Sequence, residues 1–176
     1  MSDRASKNAS RRFFLAFWPD EELRAQIVRR RQLVGARGWR QVPDHNLHMT
    51  LVFLGSQPAE RLAKIVAAVD GVLCPVGEIG LDRFGWFPGA QVLWLGGDAG
   101  QQLLALHARV CQALVGAGLT LDSRPFRPHV TLYRRVSDRP YLPQPEPLFW
   151  RPRKLVLVQS VFGQPYRVVE SWPLRG

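Results

Sequence analysis

The chain has 176 residues, 46% of them apolar, which suits a single globular unit with a sizeable buried core. There are 24 Lys and Arg against 14 Asp and Glu, a net charge of +10 that favours polyanionic partners. No run approaches the ~18 uncharged apolar residues of a membrane helix, and two isolated cysteines, Cys74 and Cys111, indicate a cytoplasmic protein with reduced thiols.

The first half of the chain alternates between strand-like and helix-like segments. Residues 1–11 are polar and basic, lack the apolar run of a secretory signal, and are expected to form a disordered tail before a single domain over 12–176. Apolar runs predict strands, and apolar residues at helical spacing predict helices. The predicted segments are a strand over 13–18, a helix over 20–35, a strand over 47–54 and a helix over 58–71.

The second half contains more strands. They are predicted over 79–87 and 92–95, joined through Pro88 and Gly89, and then over 130–133, 154–162 and 167–172. A third helix is predicted over 100–115, and the proline-rich segment 139–152 is predicted to be an ordered loop. Closely spaced strands favour antiparallel pairing, so the fold class is α+β, with helices covering the faces of antiparallel sheets.

Two of these strands begin with the same four-residue pattern. The run 48–51 reads His-Met-Thr-Leu and the run 129–132 reads His-Val-Thr-Leu. A duplication with two lobes would bring two such strands together about a pseudo-two-fold axis. Because side chains alternate along a strand, each His shares a face with its Thr. Val52 and Leu54 are expected to continue the His48 face, so the site is expected at the N-terminal ends of both strands.

This pair of motifs matches the needs of phosphodiester cleavage. One group must take a proton from the attacking oxygen and another must give a proton to the leaving oxygen, and two histidines suit both tasks near neutral pH. Thr50 and Thr131 supply hydroxyl donors for the phosphate oxygens. The sequence therefore predicts His48 and His129 as an acid and base pair that needs no metal.

Two other interpretations of the motifs are open. A buried His beside a Thr can be a satisfied core pair, although two copies in matching contexts make that explanation weaker. A metal site could draw on His48, His129 and His45 with Asp44 nearby, but no Cys or carboxylate cluster completes a ligand shell. His107 falls among leucines and valines of the third predicted helix and is interpreted as a histidine at the edge of the core.

The sequence resembles the RNA 2′,3′-cyclic phosphodiesterases, also called bacterial 2′-5′ RNA ligases, within the two-histidine phosphoesterases. The resemblance extends from about residue 12 to residue 174. It rests on short segments in a fixed order: RFFLAFWP at 12–19, NLHMTLVFLG at 46–55, FPG at 87–89, VLWLG at 92–96, LH at 106–107 and RPFRPHVTL at 124–132. Each segment alone is weakly specific, and their order and spacing together are strongly specific.

The resemblance implies a bilobed fold in which two antiparallel sheets flank a central cleft, with helices outside. It implies that 2′,3′-cyclic phosphate ends of RNA open to 2′-phosphates, with weak reversible 2′-5′ joining in some members. It makes His48 the general acid and His129 the general base, with Thr50 and Thr131 on the phosphate. No cofactor, membrane or obligate protein partner is implied, and RNA ends or small cyclic nucleotides are the expected partners.

A cation is also expected beside the phosphate, because a hydroxyl cannot neutralise its charge. Members of the family often carry an Arg shortly after the second motif, and Arg134 matches. Strict alternation places Arg134 on the face away from His129, so it reaches phosphate only if the strand bulges or ends there. Arg127 is two residues before His129, which would place both side chains on the same face, but Arg127 precedes the strand. Two other functions stay open: a non-catalytic module that binds RNA ends, and a phosphodiesterase for another cyclic phosphate.

Overall fold

The computed structural model describes residues 11–35 and 38–174. In this part of the chain there are three α-helices: α1 (Glu21–Arg31), α2 (Leu62–Asp70) and α3 (Gln101–Gly116). The strands are β1 (Arg11–Phe17), β2 (Arg40–Gln41), β3 (Met49–Gln57), β4 (Ile79–Leu81), β5 (Arg83–Phe87), β6 (Val92–Gly96), β7 (His129–Arg134), β8 (Leu148–Trp150), β9 (Lys154–Ser160) and β10 (Arg167–Pro173).

Most of the predicted segments form as expected, with differences at their ends. Residues 1–10 of the predicted tail lie outside the described residues, and Arg11 is the first residue of β1 rather than part of the tail. The predicted strand over 79–87 is two strands, because the chain passes from a small sheet to a larger one at Asp82. Strands β2 and β8 were not predicted, and β8 interrupts the predicted loop over 139–152.

The described strands pair antiparallel in an eight-stranded sheet and a two-stranded sheet. The larger sheet has the order β10-β9-β1-β3-β7-β6-β5, with β2 paired to β7, and the smaller one joins β4 to β8. Strands β3 and β7 meet through a single residue pair, Met49 with Val130, so the large sheet consists of two halves that diverge from this point. The α+β class with antiparallel sheets is confirmed, whereas the duplication stays a prediction.

All three helices pack on one side of the sheet. Leu23 and Ile27 of α1, Ile65 of α2 and Leu106 of α3 belong to one buried cluster with residues from both halves of the sheet, such as Leu15. A smaller cluster lies on the opposite side of the first half and consists of Phe14, Ala16, Val156 and Val158, with Trp18 and Tyr166 packed against it. The side of the sheet without helices is therefore open for a site.

Both central strands carry a β-bulge at the same place in their motif. Opposite β1, residues Thr50 and Val52 pair with consecutive residues and Leu51 is the extra one. Opposite β6, residues Thr131 and Tyr133 pair with consecutive residues and Leu132 is the extra one. An extra residue in one strand reverses the alternation of the side chains that follow it. In both strands, therefore, the face of the sheet to which successive side chains point is reversed directly after the Thr.

The bulge in β3 corrects one expectation. Val52 and Leu54 were expected on the face of His48, but both are buried in the main cluster under the helices, together with Leu51. Phe53 lies on the face of His48 instead, and it is 61% exposed.

Candidate active site

His48 lies directly before β3 and is surrounded by aromatic rings. Its ring stacks on Trp18, with centroids 4.7 Å apart and planes 14° apart, and on Phe14, at 5.0 Å and 28°. Tyr166 contacts the same ring edge-on. Trp18 and Phe14 are two residues away from Ala16 on either side in the sequence, and Phe14 and Ala16 form part of a small buried cluster against which Trp18 packs.

His129 opens β7 and has fewer aromatic neighbours. Phe87 meets it edge-on at 5.2 Å, and Trp94 lies at 5.9 Å. The packing of Trp94 depends on Gly85, because a Cβ at Gly85 would lie 2.0 Å from the indole ring.

Both histidines make the same hydrogen bond. Nδ1 of His48 lies 2.7 Å from the carbonyl oxygen of Asn46, and Nδ1 of His129 lies 2.7 Å from that of Arg127. A carbonyl only accepts, so Nδ1 carries the proton and donates in each ring. Within residues 11–35 and 38–174, neither Nε2 atom has a hydrogen-bond partner. Nε2 is therefore the ring nitrogen of each histidine that is left free for another partner.

The two threonines lie on the histidine side of the sheet, as expected. Thr50 pairs with Ala16, which belongs to the cluster beneath His48. Thr131 pairs with Trp94, whose ring contacts His129. Both side chains are partly exposed.

Arg134 reaches the site because of the bulge in β7. With Leu132 as an extra residue, Leu132 and Tyr133 both enter the core, and Arg134 returns to the face of Thr131. Arg135 then adopts a left-handed backbone conformation with φ 59°, where the strand ends. The bulge that would allow Arg134 to face the phosphate is present in the structure.

A cavity of about 140 Å³ lies between the two halves of the sheet. Its walls bring together three of the predicted residues, His48, Thr131 and Arg134, and other residues that the sequence analysis did not single out. His129, Thr50 and Arg127 are absent from this lining. Arg127 contributes its backbone carbonyl to His129 instead, and its side chain is exposed. The other lining residues are Arg40, Gln41, Val42, Pro43, Asn46 and Tyr166.

The loop that leads to His48 is fixed from two sides. The guanidinium of Arg31, which is 4% exposed, donates to the carbonyl of Val42 at 2.9 Å and to Asp44 at 2.5 Å. Trp18 donates its indole N–H to the carbonyl of His45 at 3.0 Å. Trp18 therefore holds both the ring of His48 and the loop before it.

Burial favours the neutral form of both histidines. Desolvation lowers the pKa of His48 from 6.5 to about 4, opposed by its hydrogen bond to Asn46 and reinforced by the charges of Arg134 and His129. Desolvation also lowers the pKa of His129, with the charge of Arg134 acting in the same direction. Arg134 thus lies near enough to act electrostatically on both imidazoles.

The residues of the metal alternative do not gather in one place. Asp44 is engaged by Arg31, and the side chain of His45 is exposed. Among the described residues, no group of three or more His, Cys, Asp or Glu side chains is arranged to hold a metal ion. His107 is partly buried and stacks on Phe126 at 4.4 Å, as a histidine at the edge of the core would.

Two histidines and two threonines lie at the inner strands of a divided antiparallel sheet, as the resemblance to the two-histidine phosphoesterases implies. Residues 19–160 match the model of the 2′-5′ RNA ligase superfamily, and the chain belongs to that family. The predicted family and the predicted class, a phosphodiesterase enzyme, are thereby confirmed.

Known relatives and solved structures agree with this assignment. The RNA 2′,3′-cyclic phosphodiesterase of Thermus thermophilus is 34% identical over 94% of this chain and 91% of its own length. The Escherichia coli protein of the same name is 31% identical over 76% of this chain and 77% of its own. The crystal structure of E. coli LigT complexed with 3′-AMP superposes with a TM-score of 0.87 at 28% identity, covering 95% of this chain and 99% of that one.

Proposed function

We propose that this protein hydrolyses 2′,3′-cyclic phosphate ends of RNA to 2′-phosphomonoesters, with His48 and His129 as paired acid and base and without a metal ion. The observation that carries the proposal is the matched arrangement of the two rings, each fixed through Nδ1 and each with Nε2 free. The names of the relatives from T. thermophilus and E. coli support the choice of substrate.

The proposed step is an in-line displacement at phosphorus. Nε2 of His129 takes a proton from water as the water oxygen attacks, and a new P–O bond forms. The bond from phosphorus to the ribose 3′ oxygen breaks, and Nε2 of His48 gives its proton to that oxygen. The product keeps its phosphate on the 2′ oxygen. If a 5′-hydroxyl of another RNA end attacks in place of water, the same step forms a 2′-5′ linkage, which connects the hydrolysis with the family name.

Thr50, Thr131 and Arg134 are proposed to bind the phosphate oxygens. Both hydroxyls lie on the histidine face, and Arg134 lines the cavity with Thr131. The guanidinium supplies the positive charge that the hydroxyls lack. As charge shifts onto the non-bridging oxygens in the transition state, these donors stabilise it without moving.

The lowered pKa values mean that one histidine must gain a proton when substrate binds. The phosphodiester is an anion, and its charge favours the imidazolium form of a neighbouring ring. The deep lowering of the pKa of His48 by itself favours the opposite assignment, in which His48 is the base. The resemblance to the family favours His48 as the acid, and the two assignments make different predictions for substrates with a good leaving group.

The experiment that tests the function compares 2′,3′-cyclic with 3′,5′-cyclic nucleotides in excess chelator and identifies the product isomer. We expect turnover of the 2′,3′-cyclic substrate alone, a 2′-phosphate product and an unchanged rate in chelator. A requirement for a divalent ion would contradict the metal-free mechanism. A 3′-phosphate product would contradict the proposal that the 3′ oxygen is the leaving group. Binding without turnover would favour a module that only holds RNA ends.

The first prediction concerns the catalytic pair. Changing either His48 or His129 to Ala should lower kcat/KM by about two orders of magnitude or more. The far-ultraviolet circular dichroism spectrum should stay that of the wild type, because the fold is unchanged. If one of the two variants kept a rate near that of the wild type, the paired mechanism would be wrong.

The proposed site of action is the cytoplasm. Cys74 and Cys111 are both unpaired, and free thiols persist in a reducing compartment. In the described part of the chain, no helix is long and apolar enough to span a membrane.

A further inference from the structure

A second arginine lies next to Arg134 in the cavity. Arg40 of the short strand β2 pairs directly with Arg134 of β7, and both residues line the cavity with His48 and Thr131. Directly paired residues of neighbouring strands place their side chains on the same face, so the two guanidinium groups leave the sheet side by side.

This juxtaposition lacks a compensating negative charge. Two like charges directly opposite each other on a sheet are destabilising. In the residues that the structure describes, neither Arg40 nor Arg134 forms an ion pair. A bound anion would remove the repulsion that the sequence leaves in place.

One phosphate does not account for both arginines. A 2′,3′-cyclic phosphate carries a single negative charge, which Arg134 alone can balance. Arg40 lies across from Arg134 on β2, which pairs with the same edge of β7 as β3 because β6 occupies the other edge, and neighbouring strands lie about 4.8 Å apart. The nearest other anion in an RNA chain is the phosphodiester on the 5′ side of the terminal nucleotide.

We propose that Arg40 binds this neighbouring phosphodiester and so makes the protein select RNA ends over free cyclic mononucleotides. This inference rests on the proposed function and specifies its substrate class. The juxtaposition of two unpaired arginines in one cavity carries it, and the 5′ phosphate is the ligand that Arg40 takes.

The test measures binding with two nucleotides that differ only in a 5′ phosphate. Adenosine 2′-monophosphate and adenosine 2′,5′-bisphosphate are titrated calorimetrically into the wild type, Arg40→Gln and Arg109→Gln. Arg109 is an exposed residue of α3, on the helix side of the sheet, and is the matched control. The 5′ phosphate should tighten binding by about tenfold or more in the wild type and in the control. In Arg40→Gln this gain should be lost.

Two results would overturn the inference. One is a wild type that binds both nucleotides equally, and the other is an Arg40→Gln variant that keeps the gain from the 5′ phosphate. A loss of equal size for both nucleotides would also contradict it, because Arg40 would then act on the 2′ phosphate or on the fold. Binding is measured without turnover, so failure of the proposed function shows separately, as the absence of hydrolysis.

A kinetic comparison gives a second readout. The ratio of kcat/KM for a dinucleotide with a 2′,3′-cyclic end to that for a cyclic mononucleotide should fall about tenfold or more in Arg40→Gln. Replacing the internal phosphate of the dinucleotide by an uncharged methylphosphonate should lower the wild-type ratio to a similar value and should not lower the ratio of the variant further. An unchanged ratio in the variant would contradict the role of Arg40.

Discussion

At the scale of single residues, the two histidines share a motif but not an environment. His48 stacks on two aromatic rings and touches a third, whereas His129 contacts two rings at their edges or at an angle. The closer packing around His48 removes it from water, and desolvation is the largest cause of its lowered pKa. The asymmetry lies in neighbours such as Trp18 and Phe14, which are outside the repeated four residues.

The burial of His48 predicts a stability effect of pH. The unfolded chain binds a proton at the ordinary pKa of 6.5, while the folded protein binds it only near pH 4. As pH falls through this window, the unfolded state therefore gains protons first and the fold loses stability. Chemical denaturation of the wild type and His48→Gln across pH should show a decline over this range that is smaller in the variant. Parallel curves would contradict the burial of a neutral imidazole.

The threonines predict an effect on the chemical step. Changing Thr50 or Thr131 to Val preserves the shape of the side chain and removes a hydrogen bond to a charged oxygen, so kcat should fall roughly tenfold or more on a cyclic mononucleotide. Thr120→Val is the control, because Thr120 is exposed in the loop after α3. Variants with wild-type kcat and a raised KM alone would show that the hydroxyls bind substrate and transition state equally.

At the scale of elements, a one-residue bulge decides which side chains enter the site. Sequence alternation correctly puts each His with its Thr, because both precede the bulge. It fails directly afterwards, at Val52 in β3 and at Arg134 in β7, because the extra residues Leu51 and Leu132 reverse the parity. A bulge leaves no distinct signal in a run of apolar residues, so alternation alone could not predict where Arg134 points.

Short elements account for most of the remaining differences. Strand β2 has two residues and no apolar pattern, yet it brings Arg40 opposite Arg134. Its position depends on pairing with β7, far away in the sequence, and on the backbone N–H of Val42 donating to Leu132. Long-range pairing of this kind cannot be read from local sequence, whereas the longer helices and strands follow their apolar periodicity.

The hydrogen bonds of Arg31 predict that helix α1 stabilises the loop at the candidate site. Its buried guanidinium fixes the loop that carries Pro43 and Asn46 into the cavity wall. Arg31→Leu should lower the free energy of unfolding by about 2 kcal/mol and raise KM, since the loop loses a charged hydrogen-bond donor. Arg29→Leu, on an exposed position of the same helix, should change stability by no more than about 0.5 kcal/mol. Equal effects of the two substitutions in urea denaturation would contradict this role.

At the scale of the whole molecule, the two halves of the sheet carry the same local device. In each half a strand begins at or beside a histidine, continues to a threonine and bulges at the following leucine. The hydrogen bond from Nδ1 to the carbonyl two residues earlier is also repeated. These repeated features agree with the predicted duplication, which stays a prediction, and they start from the same repeated motif in both halves.

The net charge of +10 predicts salt-dependent capture of long RNA. Exposed arginines away from the cavity attract a polyanion over a range that salt screens, so kcat/KM for an oligomer should fall with rising salt more steeply than for a cyclic mononucleotide. Replacing exposed arginines distant from the cavity, such as Arg109 and Arg153, with Gln should flatten the oligomer dependence. Identical salt slopes for both substrates would show that the basic surface has no part in capture.

The most direct test of the paired mechanism uses a cyclic substrate with sulfur in place of the 3′ bridging oxygen. A thiolate leaves without needing a proton, so loss of the general acid no longer matters, while the attacking water still needs a base. We predict that His48→Ala hydrolyses this substrate at nearly the wild-type rate and that His129→Ala stays strongly impaired. Rescue of His129→Ala alone would reverse the two roles, and rescue of neither variant would contradict the assignment of an acid and base pair.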